Sequence, residues 1–367
     1  MPAALRDSRP ALTVSLGALT RNAEALRARS GGADLGAVVK ADAYGLGCEE
    51  VARHLAEHCG VADLFVAFAH EAARVRRAVN RPGVGDCAIY VLNGYSPDEA
   101  AAFDTCVLRP VLNSVEQAAA WAERGGACAL SVDLGMNRLG LDANALETLC
   151  ADTRLRARDV ALVVAHLSHA SQPGAAQNKT QTALFEDVAA ENAARFPRAQ
   201  FSLSASGGIA LPGAPSERLT RPGIALYGAS PDGDPANALE AVATLSAPVI
   251  ALRDVAIGDT AGYDGAWVAT RPSRLAVLAI GYADGVPRSL SGEGAVLLGG
   301  RTCPLAGKVS MDTLIVDVTD AEDVRVGDRA EVFGAGLPID GVARAAGTIA
   351  YELLTGVGNR VARVYVR

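Results

Sequence analysis

The chain has little that would tie it to an oxidising compartment, a membrane or a nucleic acid. Its 367 residues include seven cysteines, at 48, 59, 87, 106, 128, 150 and 303, and none forms a CxxC pair. An odd count at irregular spacing describes neither a disulfide framework nor a zinc ribbon, so the thiols read as reduced. No apolar run reaches the ~18 residues a membrane span needs, and Met1 to Arg9 is polar with no apolar signal core. The expectation is a soluble, cytoplasmic protein. Excess positive charge is missing too: 34 basic residues face 41 acidic ones, for a net charge of −7, spread rather than blocked along the chain. That balance argues against a nucleic-acid partner.

What is present is length and a regular alternation. A chain of 367 residues exceeds the roughly 250–300 at which single cores stop growing, so two domains are expected. From Ala33 to about Tyr227, short β-branched runs alternate with longer alanine-rich segments of helical period, the signature of βα units. Strands are expected near 34–40, 63–68, 87–92, 106–112, 127–133, 160–166, 199–204 and 223–227. Between them lie amphipathic helices, such as the one carrying Leu184, Phe185, Val188 and Ala189 on one face. Eight parallel strands with outer helices close into an α/β fold of the (β/α)8 TIM-like barrel type, with an open doubly wound sheet as the competing architecture.

After about Pro231 the texture changes. Segments 242–256, 273–280, 294–309, 313–318 and 327–333 are short, valine-rich and divided by turns such as Gly258-Asp259 and Gly327-Asp328, which predicts a smaller, mostly-β domain. The polar stretch Ser230 to Pro235 serves as linker, giving domains at 1–232 and 233–367. Ala11 to Leu16 lacks a place in the barrel and is assigned to the C-terminal sheet.

Reactive residue types fall at the ends of the barrel strands, where barrel enzymes keep their chemistry. Lys40 ends the run Leu35 to Val39 and precedes the glycine-bearing turn to Gly47, with Tyr44 inside that turn. Partial burial there would lower its pKa and make it a candidate Schiff-base former. Arg138 follows strand five, His166 ends strand six, Ser206 follows strand seven and Arg221 precedes strand eight. The loops after strands seven and eight commonly build a barrel's phosphate site, and Ser204 to Gly208 with Arg221 to Ile224 suit that use. A phosphate-bearing aldehyde that condenses with a lysine is pyridoxal 5'-phosphate, and His166 would stack on its ring.

Two other patterns carry less. His54-Leu55-Ala56-Glu57-His58 spells H-x-x-E-H, but it fits an outer helix away from the strand ends, and no metal is expected. Gly45-Leu46-Gly47 resembles the start of a dinucleotide fingerprint, yet Glu50 occupies the third glycine position, where a carboxylate would repel pyrophosphate.

A longer series of residues resembles one family. Val38 to Gly47, Asp133 to Gly140, Arg221 to Gly228, Gly262-Tyr263, Gly281 to Gly285, Ser310-Met311-Asp312 and Tyr351-Glu352 follow, in order, the motifs of alanine racemase. The resemblance implies a pyridoxal phosphate enzyme interconverting L- and D-alanine as a homodimer, with an N-terminal barrel and a C-terminal β domain. It implies that Lys40 holds the cofactor in a Schiff base and serves as one base, with Tyr263, contributed in trans by the other subunit, as the second. It implies that Tyr44, Ser206, Gly223, Ile224 and Tyr351 hold the phosphate, that Arg221 faces the pyridine nitrogen, and that Arg138, Met311 and Tyr282 bound the substrate. D-alanine would serve peptidoglycan or alanine catabolism.

The chemistry asks for the same parts. Racemisation takes a proton from one face of Cα and returns one to the other, so two bases are needed, and both must be tuned down from model values near 10. Arg221 stays charged and cannot protonate the ring nitrogen, which limits the ring as an electron sink.

Three positions depart from the family pattern. Ser131 stands where many members have a carbamylated lysine paired to the arginine, Leu134 where threonine is usual, and Ala205 where asparagine commonly precedes the phosphate-binding serine. Arg138 then needs another anionic partner or a bound anion such as chloride. The alternatives are a racemase of broader specificity or a non-catalytic pyridoxal phosphate-binding protein. The latter would have no use for Tyr263.

Overall fold

The computed structural model describes residues 9–81, 84–151, 155, 157–212 and 217–367. It divides into two compact units, one of Thr20–Leu226 and the other of the chain up to Leu19 together with Tyr227–Arg367. Among the described residues no helix is long and apolar enough to cross a membrane.

The chain enters through β1 (Ala11–Ser15) and the helix Leu16–Arg29, then lays down β2 (Asp34–Leu35), β3 (Ala37–Val38), β4 (Asp63–Val66), β5 (Ala88–Val91), β6 (Leu108–Leu112), β7 (Cys128–Ser131), β8 (Val160–Val164), β9 (Gln200–Ser202) and β10 (Leu219–Thr220). Strands β3 to β9 form a seven-stranded parallel sheet in sequence order. Its two edges meet. β10 pairs in parallel with β2, through Leu219↔Asp34 and Thr220↔Leu35, and a bridge Ala205↔Arg221 joins the end of β9 to the end of β10. β2 and β3 are one stave interrupted at Gly36, whose N–H donates to Thr220 O at 2.8 Å. A Cβ at Gly36 would lie 2.9 Å from Phe65 Cε2, so only glycine lets the staves close there. The expected (β/α)8 barrel is therefore present. Several of its strands are buried on both faces and carry unbroken apolar runs, Leu64, Phe65 and Val66 or Ile89, Tyr90 and Val91, whereas β9 is Gln200-Phe201-Ser202.

Strand eight differs from expectation. It is the short β10 at Leu219–Thr220, and Arg221 follows it rather than precedes it. Pro222 has no N–H to continue a ladder, so the chain leaves the sheet, and the apolar run 223–227 is buried in turns. The helix Ala176–Asn192 also faces inward differently: Phe185 is buried but Leu184 is 44% exposed. The buried face runs instead through Asn178, Gln181, Phe185 and Asn192. Gln181 goes inside because its amide donates to Leu134 O and accepts from Ser168 N, tying together the loops after β7 and β8.

The other unit is mostly β, as expected, with two short helices near its end. Its strands are β11 (Ala243–Val255), β12 (Thr260–Ala261), β13 (Trp267–Val268), β14 (Ser273–Leu278), β15 (Ala295–Leu298), β16 (Arg301–Pro304), β17 (Leu314–Asp317), β18 (Arg329–Phe333) and β19 (Ala362–Val366). The sheet order is β16-β15-β18-β11-β1-β19, with β14 on β11 and β17 on β14. β1 sits antiparallel to β11 and parallel to β19, which gives the orphan segment at Ala11 its partners.

Candidate active site

Lys40 follows Val39 at the C-terminal end of β3, and the next four residues do something unusual. Ala41, Asp42, Ala43 and Tyr44 have φ of 51, 56, 53 and 56°, a left-handed turn made without glycine. Left-handed backbone costs a non-glycine residue roughly 1–2 kcal/mol, so such a turn persists only where its surroundings hold it. The holders are visible. Ala41 N–H donates to Glu71 Oε1 at 2.7 Å, Cys48 N–H to Asp42 Oδ1 at 2.9 Å, and Arg74 Nη1 pairs with that same oxygen at 2.9 Å. Gly45 N–H and Gly47 N–H close the turn onto Ala41 O and Asp42 O. The half-buried Lys40 amine is held below the usual lysine pKa, first by loss of solvent and then by the Arg138 cation, with Glu71 opposing. It is a nucleophilic amine in the making.

Arg221 is buried and tightly held: Nη1 donates to Ser202 O at 2.7 Å and to Ser202 Oγ, and Nη2 donates to Ala165 O at 2.6 Å. Burial pushes its pKa down to about 10, with Glu217 opposing, so it stays a cation at neutral pH. His166 lies two residues beyond β8 and is exposed. Desolvation, then Arg221, Arg138 and Lys40, push it down to about 4, so the ring is neutral at pH 7.

Ser206 opens the short helix Ser206–Ala210. Its Oγ accepts from Gly223 N at 3.0 Å and from Ala225 N at 3.2 Å. Both lone pairs of the hydroxyl are engaged, which leaves its proton to donate. A Cβ on Gly223 would run into the Tyr44 hydroxyl, so only glycine there lets the Tyr44 ring pack against the backbone that Ser206 holds, with Ile224 buried beside it. Close by, Ser204 Oγ is buried without a hydrogen-bond partner among the described residues.

Arg138 sits in a loop organised by Asp133, whose carboxylate accepts from the amides of Gly135, Met136 and Asn137. Among the described residues no carboxylate pairs with Arg138. Ser131 ends β7.

The remaining site candidates belong to the β-rich unit. Tyr263 stands at a turn between β12 and β13, 65% exposed. Tyr282 and Met311, both exposed, are brought together: Tyr282 N–H donates to Ser310 O and Ala283 N–H to Met311 O. Arg360 locks that pair of loops, reaching the 2%-exposed Asp284 through Nε at 2.6 Å and Nη2 at 3.0 Å, and Asp312 at 2.7 Å. Tyr351, on the helix Ala350–Thr355, has its hydroxyl pushed up to about 12 by burial and by Asp340.

Sequence reasoning did not mark the residues that hold these groups: Glu71 and Arg74 at the lysine turn, Ser202 and Glu217 around Arg221, and the Asp284–Arg360 pair. Glu71 alone left a readable trace, as a carboxylate three residues after Phe68 at a helix start. His54, of the H-x-x-E-H pattern, shares a 2.8 Å hydrogen bond with Thr20 Oγ1.

A barrel with a desolvated rim lysine, joined in one chain to an all-β sheet, defines a two-domain barrel enzyme. The comparisons carry this further. Residues 14–231 match the family model "Alanine racemase, N-terminal domain" and residues 242–365 match "Alanine racemase, C-terminal domain". The alanine racemase of Methylobacterium nodulans is 43% identical over 366 residues, covering 97% of this chain and 95% of that protein. The biosynthetic alanine racemase of Agrobacterium fabrum is 44% identical over 375 residues, covering 97% and 93%. Among solved structures, alanine racemase from Bartonella henselae, with covalently bound pyridoxal phosphate, superposes with a TM-score of 0.87 at 32% identity over 98% of this chain and 100% of that one. The chain belongs to the alanine racemase family, a family of isomerases.

Proposed function

We propose that the protein interconverts L- and D-alanine by moving the Cα proton between two bases, with pyridoxal phosphate held at the barrel mouth. The observation that carries this reading is the grouping within one unit of a desolvated lysine, a proton-donating serine bonded to the Gly223 amide, and a buried arginine. Those residues suit the cofactor. Lys40 offers the amine, Ser206 and Tyr44 offer hydroxyls to a phosphate, Gly223 and Ile224 offer the backbone beside them, and Tyr351 adds a further phenol. When bound, the cofactor withdraws electron density from Cα and so acidifies its proton.

The chain supplies the rest. Lys40 Nζ, its pKa lowered, takes or returns the proton on one face. Tyr263 Oη serves the other face, and its exposure on the β-rich unit supports delivery to another subunit of a homodimer. Arg221 would offer the ring nitrogen a cation that has no proton to give up at neutral pH. His166, neutral at pH 7, could face the ring without adding charge. Arg138 attracts the substrate carboxylate, and Tyr282 with Met311 frames its access. The same inventory fits a cytoplasmic enzyme supplying or consuming D-alanine.

Chiral chromatography of alanine after incubation with the protein and pyridoxal phosphate tests the reading, beside Lys40→Ala. A bound-cofactor absorbance without racemisation of alanine would overturn it. Mixing dimers inactivated at Lys40 with dimers inactivated at Tyr263 tests the shared site. Partial recovery of activity is expected, and none would place both bases on one chain.

A further inference from the structure

Glu71 does more than a helix cap requires. It is the third residue of the helix Ala69–Val79, and its Oε2 accepts from Ala67 N at 2.7 Å and Phe68 N at 3.1 Å. That is the ordinary reach of such a carboxylate back to the amides before a helix. Its other oxygen turns away and accepts from Ala41 N at 2.7 Å, in the neighbouring βα loop. Capping has no use for that bond. Ala41 is the residue directly after Lys40 and the first of the left-handed turn. One helical turn further on, Arg74 grips Asp42, the second residue of the same turn. A single helix thus clamps two consecutive strained residues with side chains of opposite charge.

We propose that Glu71 is a positioning residue for Lys40: by fixing the peptide N–H that follows the lysine, it keeps the turn left-handed and the amine aimed into the barrel mouth. The inference rests on Lys40 being the cofactor lysine. Glu71 is also the carboxylate that offsets the effect of Arg138 on that amine, which places it within electrostatic reach of Lys40. A β-strand end without such a clamp would relax toward right-handed or extended backbone and carry the side chain with it.

The test uses the full-length apoprotein, prepared as wild type, Glu71→Ala, Glu71→Gln and Lys40→Ala. Three quantities are read: the rate at which cofactor absorbance develops on mixing with pyridoxal phosphate, the hydrogen exchange of the Ala41–Tyr44 amides, and the melting temperature. Loss of a charged hydrogen-bond acceptor is worth about a tenfold change. Glu71→Ala is expected to slow cofactor attachment about tenfold and to speed exchange in the turn by a similar factor relative to the barrel strands. Glu71→Gln, which keeps the shape and one acceptor oxygen, is expected to fall between and to hold the fold if the alanine variant does not. A variant that melts earlier yet attaches cofactor and exchanges the turn at wild-type rates would mean that Glu71 is a cap alone. Lys40→Ala separates the two readings. If it develops the wild-type absorbance, the assignment of Lys40 fails. If it does not and both Glu71 variants behave as wild type, only the role of Glu71 fails.

Discussion

The two sides of the barrel mouth hold their groups by opposite means. On the lysine side the backbone is strained, with four left-handed residues, and side chains of the helix Ala69–Val79 restrain it. On the serine side no residue of 221–225 has a positive φ, and the packing depends on what is missing: with no Cβ on Gly223, the Tyr44 hydroxyl lies directly against its backbone. On the proposed reading the lysine makes and breaks a bond and so has to be aimed, which strain plus polar restraint can do. The serine side would only receive a phosphate, which asks for donors rather than for aim.

Breaking the aimed side at its tip has the largest expected effect. On the proposed reading Lys40→Ala would remove both the attachment point and one base, and racemisation should fall by about 10³-fold or more; a residual rate within tenfold of wild type would contradict the assignment. Damage to the receiving side should be milder and should appear in affinity. Gly223→Val forces side-chain atoms into Tyr44, an overpacking worth about 1–3 kcal/mol, so cofactor titration should show binding weakened by roughly 10- to 100-fold with kcat at saturation less affected.

A pH effect links the two sides through His166. Its folded pKa of about 4 lies below the ordinary 6.5, so above pH 6.5 the ring is neutral folded or unfolded and contributes no pH dependence. As pH falls from 6.5 toward 4 the unfolded chain gains a proton that the folded one refuses, and stability drops. His166→Asn should therefore flatten the loss of melting temperature across that window, and ring titration followed by NMR should show no step near 6.5.

The smallest effect is a gain. Ala41→Gly relieves a left-handed residue at an exposed position and should stabilise the protein by roughly 0.5–1 kcal/mol in urea melts. A loss of stability would mean the turn carries no strain at Ala41.

This contrast explains what the sequence disclosed. Most of strands one to seven were legible because parallel strands buried on both faces are written as continuous apolar runs, and Lys40 was legible because it ends one. The receiving side was half legible: Ser206 and Gly223 announce themselves, but strand eight was placed too late because Ile224 to Tyr227 is apolar for burial in turns. The aimed side was opaque. Ala41 to Tyr44 contains no residue type that signals a positive φ, and Glu71 spells an ordinary helix start. Strain imposed by contacts from another loop leaves no local mark. In the β-rich unit the turns gave the strands away, whereas the Asp284–Arg360 lock joins residues 76 apart and has no local spelling.

The position of β1 has a consequence for synthesis. Leu12 pairs with Leu245 and Arg363, so the strand made first waits for partners made last. At roughly 5–20 residues per second the ribosome needs about 10–50 s to reach β11, and the whole barrel emerges in that interval. A strand carrying Leu12 and Val14 thus spends that interval with neither of its sheet partners in existence.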